Sequence, residues 1–244
     1  MNIHYGKHTK QTLDIYRANT EKKSPVIIYV HGGSWTAGDK NNVSKKPLFF
    51  TNQGFVFVSV NYRLFPEASY HQMTDDLSSA IKWIYDHADH YEIDKTRINL
   101  MGHSAGGHLV TLIGTNPKYL NKVGLSPLSV RSIIDLEGPV DLSLLVSRDA
   151  KFKRVFGDNK MDWAEASPLA YAKNQYAPLF LVNHRDSSIK TFLEVASSAG
   201  NTVKYFECRT LSHRGITKEL GSTTTSEEAK DLTNAVVDFL KTYN

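Results

Sequence analysis

The chain has 244 residues, 41% of them hydrophobic and 22% charged, which is typical of a globular protein with a buried core. The net charge of +4 is small, and the densest basic stretch, residues 40–46, lacks the interleaved aromatic residues of a nucleic-acid-binding surface. A lone cysteine, Cys208, excludes an internal disulfide framework. No apolar run approaches the ~18 residues of a membrane span, and residues 1–14 lack a signal-peptide core. These features predict one cytoplasmic domain over residues 1–244.

Short apolar, β-branched runs alternate with helical patterns along the whole chain. Two short strands, 3–5 and 13–16, flank a polar turn. Six buried strands are then predicted at residues 26–30, 55–60, 97–101, 133–136, 179–182 and 203–206. Helical periodicity is clearest in the stripe of Leu77, Ala80, Ile81 and Ile84 and in that of Leu232, Ala235, Val236, Phe239 and Leu240. Such alternation predicts an α/β fold with a mostly parallel sheet covered on both faces.

Two further segments of the sequence have specific interpretations. Residues 141–165 contain no predicted strand, and their weakly periodic apolar residues fit either a lid over a pocket or a crossover helix. Thr225 and Glu228 have the spacing of a capping box at the start of the last helix.

The most informative motif is Gly-His-Ser-Ala-Gly at residues 102–106, a G-x-S-x-G pattern centred on Ser104. It follows a predicted strand and precedes a predicted helix, as in a nucleophile elbow, where a sharp turn exposes the serine hydroxyl. Gly102, Ala105 and Gly106 are small enough for such a turn. We therefore predict that Ser104 is a nucleophile.

A serine nucleophile needs a base, and the base needs a carboxylate to orient it. After an elbow serine the expected chain order is acid and then histidine. Asp186 and His213 follow two successive predicted strands, at the sheet edge where an open α/β fold places its site. We predict Asp186 as the acid and His213 as the base, with His184 as the rival base.

The oxyanion formed during acyl transfer needs N–H donors already in position. Ala105 supplies one amide directly after the nucleophile. Gly32 and Gly33, in the turn after the strand at residues 26–30, allow the backbone to approach a substrate closely. His31 precedes these glycines and is interpreted as a structural hydrogen-bonding residue.

Other polar clusters have simpler interpretations. Residues 86–90 carry metal-ligating residue types, yet they lie at the end of an exposed helix without supporting ligands, so a solvated helix end is favoured. We predict no metal and no cofactor.

Several stretches together resemble the α/β-hydrolases of the esterase and lipase group that carry an H-G-G motif, close to carboxylesterases and kynurenine formamidases. They are residues 13–16, 31–35, 61–64, 102–107, 167–169 and 186–189, with Asp76, Ala80 and Trp83. The sequence departs from the family pattern in three places. Ser34 replaces the last glycine of H-G-G-G, the loop before Asp186 is bulkier, and no glycine precedes His213.

The resemblance implies a serine esterase of the α/β-hydrolase fold with a small cap or none, in which Ser34 and Trp35 contact the substrate. The expected partner is a small ester, without nucleic acid or a membrane span, and a homodimer is left open. An arylformamidase acting on N-formylkynurenine and a carbohydrate acetyl or feruloyl esterase are alternatives with the same mechanism. A non-catalytic ligand-binding protein on this scaffold is the alternative of a different class.

Overall fold

The computed structural model describes residues 2–20, 22–223 and 226–244. Within these ranges, eight strands form one sheet: β1 (Ile3–His4), β2 (Thr12–Tyr16), β3 (Ser24–Val30), β4 (Val56–Val60), β5 (Ile93–His103), β6 (Val130–Leu136), β7 (Leu179–Asn183) and β8 (Val203–Glu207). The helices are α1 (Lys46–Asn52), α2 (Tyr70–Asp86), α3 (Ala105–Thr115), α4 (Lys118–Lys122), α5 (Leu142–Arg148), α6 (Lys153–Phe156), α7 (Lys160–Ala166), α8 (Ser187–Ser198), α9 (His213–Glu219) and α10 (Glu227–Tyr243).

The strand order across the sheet is β1-β2-β4-β3-β5-β6-β7-β8. β1 and β2 are antiparallel to their neighbours, whereas the six strands from β4 to β8 are parallel to one another. The predicted α/β class with a mostly parallel sheet is therefore confirmed. Because the parallel strands all end at one edge, the loops that follow β3, β5, β6, β7 and β8 converge there.

The alternation of β3 side chains explains why the sheet has a core on each face. Val26, Ile28 and Val30 pack into one hydrophobic cluster, with residues of α2, α3 and α8. Ile27 and Tyr29 pack into the other, with residues of α1, α9 and α10. Successive strand residues face opposite sides, so a continuous apolar run is the pattern that a strand covered on both faces requires.

The segment without a predicted strand contains α5, α6 and α7 and connects β6 to β7. Its apolar side chains Leu142, Val146 and Trp163 are buried in the first cluster, while Leu144 and Leu145 face a cavity. The segment is thus a connection between two strands and also one wall of the candidate site.

The start of the last helix differs from the predicted capping box. Thr225 lies outside the described residues. Ser226 caps α10 by accepting a hydrogen bond from the backbone N–H of Ala229. The Glu228 carboxylate instead accepts from the backbone N–H groups of Arg209, Thr210 and Leu211. This glutamate therefore fixes the loop between β8 and α9.

No helix in the described part of the chain combines the length and the apolar character needed to cross a membrane.

Candidate active site

Ser104 occupies a sharp turn between β5 and α3. Its backbone dihedrals, φ 54° and ψ −120°, lie in a region that non-glycine residues rarely adopt. The Ser104 N–H donates to the carbonyl of Leu136 at the end of β6, at 2.9 Å, and its own carbonyl accepts from the His108 N–H at 3.0 Å. The strained turn is therefore held from both sides, as in a nucleophile elbow.

The small residues of the motif are required by close backbone contacts. A Cβ built on Gly102 would lie 2.2 Å from the carbonyl oxygen of Gly106, and one built on Gly106 would lie 2.2 Å from that of Val30. Both distances are far inside van der Waals contact. The elbow thus packs directly on the end of β3, which delivers the H-G-G loop to the same place.

The H-G-G loop passes beside the nucleophile. A Cβ on Gly32 would lie 2.9 Å from the Cβ of Ser104, and Gly33, Ser34 and Trp35 all have positive φ. Gly32 therefore lies against the elbow, one residue from Ala105, whose N–H is the first of α3 and has no partner within the helix. Gly33 follows Gly32 directly in the same loop.

His31 has the structural role predicted for it. Its ring stacks on Tyr62 and its Nδ1 lies 2.8 Å from the carbonyl oxygen of Gly32. The Tyr62 hydroxyl donates to the His31 carbonyl. His31 is buried, and burial lowers the pKa of its imidazole.

His213 is the first residue of α9, following the Ser212 cap. Its ring is half-exposed, and Nδ1 donates to the Oε2 atom of Glu137 at 2.7 Å. Its carbonyl accepts from Nε2 of His103, the residue before the nucleophile, at 2.9 Å. Burial, followed by the charge of His213, lowers the pKa of His103 to about 4, so His103 is a neutral donor that ties α9 to the elbow.

Glu137 directly follows β6 and adopts a left-handed backbone with φ 61°. Its N–H donates to the Val182 carbonyl at 2.7 Å, and its side chain is only 14% exposed. Burial pushes the pKa of Glu137 upward, but hydrogen bonds from His213 and His184 outweigh burial and hold the pKa below its ordinary value. Glu137 is therefore an ionised carboxylate aimed at His213.

The structure does not pair Asp186 with His213. Asp186 caps α8, where its Oδ1 accepts from the backbone N–H and the hydroxyl of Ser188, and its Oδ2 accepts from Arg148 at 2.5 Å. These contacts outweigh the effect of burial and hold the pKa of Asp186 below its ordinary value. Both oxygens are engaged elsewhere, and Glu137 takes the place beside His213.

His184, the rival base, has neither ring nitrogen available to a serine. Nδ1 contacts the Oε1 atom of Glu137, and Nε2 lies 2.9 Å from the carbonyl oxygen of Leu211. The His213 ring, by contrast, uses Nδ1 for Glu137 and so keeps Nε2 on its other side. Of the two histidines, His213 has the arrangement that a base requires.

A cavity of about 410 Å³ brings these groups together. It is lined by Ser104, Glu137, His184, Asp186 and His213, together with Ser34 and Trp35. Leu144, Leu145, Arg148 and Phe152 form the wall contributed by the β6–β7 connection. The volume lies near the lower end of the range for small-molecule sites. The two residues predicted to contact substrate thus face the same space as Ser104.

Glu137 is the candidate site residue that the sequence reasoning missed. It directly follows the predicted strand at residues 133–136, at the sheet edge that carries the site. Glu137 therefore occupies the same kind of position in the sequence as Asp186, directly after a predicted parallel strand.

In the described ranges, no group of three or more His, Cys, Asp or Glu side chains is arranged to hold a metal ion.

The chain is similar in sequence to known proteins. Esterase LipC of Mycobacterium tuberculosis is 30% identical over 197 residues, which cover 74% of this chain and 49% of LipC. The kynurenine formamidase of Drosophila melanogaster is 25% identical over 171 residues, covering 69% of this chain and 55% of that protein. The chain therefore spans about half the length of these curated relatives.

The fold matches that of a solved structure, a truncated form of a carbohydrate esterase from gut microbiota, with a TM-score of 0.81 and 19% identity. That match covers 99% of this chain and 94% of the other. The model of the BD-FAE family matches residues 13–193, which include the H-G-G loop, the elbow and the β7 loop but end before His213. The chain belongs to the BD-FAE family and has the α/β-hydrolase fold.

Proposed function

We propose that the protein is a serine esterase that hydrolyses small carboxylic esters, with Ser104, His213 and Glu137 as its catalytic triad. The observation that carries the proposal is the pairing of His213 Nδ1 with Glu137, which leaves Nε2 for a proton from Ser104 in the same cavity. Glu137 replaces Asp186 as the proposed acid.

The proposed reaction has two halves. Ser104 Oγ attacks the carbonyl carbon of the ester while His213 takes the hydroxyl proton. The ester C–O bond then breaks, His213 gives the proton to the departing alcohol, and an acyl-enzyme remains. Water, deprotonated by His213, attacks the acyl-enzyme and releases the carboxylic acid and free Ser104.

We propose that the backbone N–H groups of Gly32, Gly33 and Ala105 hold the oxyanion in both halves. The support is the position of the H-G-G loop directly beside Ser104, at the start of α3. Ser34 and Trp35 are proposed to contact the substrate, because both line the cavity. The small cavity favours short acyl and alcohol groups.

The first experiment measures hydrolysis of p-nitrophenyl acetate and p-nitrophenyl butyrate by the wild type and by Ser104→Ala. Removing the nucleophile of a related triad costs about 10⁶ in kcat, so the variant should be inactive within detection. A fluorophosphonate probe should label the wild type at Ser104 only. Unlabelled, inactive wild-type protein would overturn the proposal and favour the non-catalytic interpretation.

Formamide hydrolysis is the second candidate, favoured by the similarity to the kynurenine formamidase. The same triad would break a C–N bond, with His213 protonating the amine. Comparing kcat/KM for N-formylkynurenine with that for the short esters and for acetylated or feruloylated sugars decides between these activities. The substrate with the highest kcat/KM defines the class.

A further inference from the structure

His184 occupies an unusual position between the acid and the loop that carries the base. It lies just after β7, where its Nδ1 contacts Oε1 of Glu137 while His213 contacts Oε2 of the same carboxylate. On its other side, Nε2 lies 2.9 Å from the Leu211 carbonyl, two residues before His213. One ring thus joins the end of β6 to the start of α9.

The two partners of His184 define its protonation state. A carboxylate and a backbone carbonyl are both acceptors, and neutral imidazole has only one N–H. Both contacts are hydrogen bonds only when both ring nitrogens carry protons. Burial lowers the pKa of His184, but the hydrogen bond and charge of Glu137 and the bond to Leu211 outweigh burial and raise it.

The charged groups around this ring come from four elements. They are Glu137 after β6, Arg185 and Asp186 next to His184 in the loop after β7, His213 at the start of α9, and Glu228 in the first turn of α10. Glu228 also favours the charged ring, and Asp186 is paired with Arg148. Cys208, buried nearby, has a pKa raised to about 12 by burial and therefore stays neutral.

We propose that His184, as an imidazolium, is a positioning residue that clamps Glu137 against His213 and anchors the Leu211 carbonyl. This inference rests on the proposed triad. The clamp explains how Glu137 keeps one orientation on a left-handed backbone at a solvent-facing cavity. Each carboxylate oxygen has its own imidazole donor, so rotation of the Glu137 side chain would break two hydrogen bonds together.

The clamp also has an electrostatic consequence. A positive His184 on the far side of Glu137 contributes to the electrostatic potential at the proposed base, where like charges disfavour each other. Removing that charge should therefore move the acidic limb of the pH–activity profile upward. A residue with only a packing role would not have this effect.

The test compares His184→Gln with the wild type, and uses His90→Gln as the control because His90 is an exposed histidine outside the cavity. In His184→Gln, the acidic limb of the pH profile of kcat/KM should move up by roughly half a pH unit. We expect kcat to fall about tenfold with little change in KM, since the reacting groups remain. His90→Gln should match the wild type in all three quantities.

A second measurement does not depend on turnover. Nitrogen-15 NMR of the Ser104→Ala protein should show a His184 titration midpoint above about 6.5, the ordinary value for histidine, with both ring nitrogens protonated below that midpoint. Adding Glu137→Gln should lower that midpoint. A His184 midpoint at or below about 6.5, the ordinary histidine value, or an unmoved acidic limb in folded His184→Gln, would overturn the clamp. Absence of ester hydrolysis in the wild type would instead overturn the proposed function.

Discussion

Two carboxylates stand at the ends of neighbouring parallel strands, and they differ in burial and in the side chains that they contact. Glu137, after β6, is 14% exposed and contacts two imidazoles. Asp186, after β7, is 26% exposed, caps a helix and pairs with Arg148. The comparison teaches that position at the sheet edge is not sufficient to define an acid. The conformation of the loop and the competing partners decide which carboxylate reaches His213.

The largest expected difference between Glu137 and Asp186 is in how much their substitution lowers the activity of the enzyme. Glu137→Gln should lower kcat/KM by about 10⁴-fold, because loss of the orienting carboxylate in related triads has effects of that size. Asp186→Asn should change kcat/KM by less than about tenfold, since its partners are Ser188 and Arg148. Steady-state kinetics on a p-nitrophenyl ester measures both. The reverse order would return the role of acid to Asp186.

The second difference concerns helix capping. Asp186→Ala removes the side chain that accepts from the Ser188 N–H at the start of α8, which should lower the free energy of unfolding by about 1 kcal/mol. Asp186→Asn keeps a capping oxygen and should lose much less. Urea unfolding of the two variants provides the comparison. Equal losses in both would mean that charge, rather than capping, stabilises this end of the helix.

The third comparison concerns the stability of the fold at acidic pH. The pKa of each carboxylate is held below its ordinary value by hydrogen bonds that outweigh burial. Each therefore stabilises the fold above its unfolded pKa, about 4.3 for Glu and 3.9 for Asp, and this stabilisation is lost as pH falls through the lower folded value. Glu137→Gln should flatten the dependence of unfolding free energy on pH below about 4.3, in urea titrations. A slope as steep as that of the wild type would show that Glu137 contributes nothing there.

The smallest effect is expected from breaking the ion pair between Arg148 and Asp186. Arg148 is 56% exposed, so Arg148→Met should change the free energy of unfolding by less than about 1 kcal/mol. Because Arg148 lines the cavity, we expect KM to change a few-fold while kcat holds. Calorimetry and kinetics on one preparation check both. A thousandfold fall in kcat would mean that Arg148 keeps Asp186 in a catalytic role.

The parts of the site that sequence predicts well are those built from adjacent residues. The geometry of the elbow at Ser104 and of the H-G-G loop depends on small residues within the motifs themselves. The backbone contacts of Gly102 and Gly106, for example, exclude larger residues. The parallel sheet follows from continuous apolar runs such as that of β3. In these cases local sequence and local structure contain the same information.

The carboxylate that pairs with His213 depends on long-range contacts and could not be predicted in this way. Arg148, 38 residues before Asp186 in the chain, captures that carboxylate. Glu137 depends on a left-handed backbone at a non-glycine residue, for which the sequence has no signal. Chain order and position at the sheet edge led to Asp186, and the loop at His184 is bulkier than in the family pattern. In the structure, His184 contacts Glu137.

Trp35 gives the protein an optical reporter of its own site. The indole is 2% exposed, donates to Nδ1 of His108, and packs edge-on against Phe152 and Phe156 of the β6–β7 connection. It lines the cavity and also belongs to the loop beside Ser104. Its fluorescence therefore records occupancy of the cavity and order of the connecting segment in one signal. The other two tryptophans can be subtracted with a Trp35→Phe reference, which makes binding of a non-hydrolysable ester analogue visible without any label.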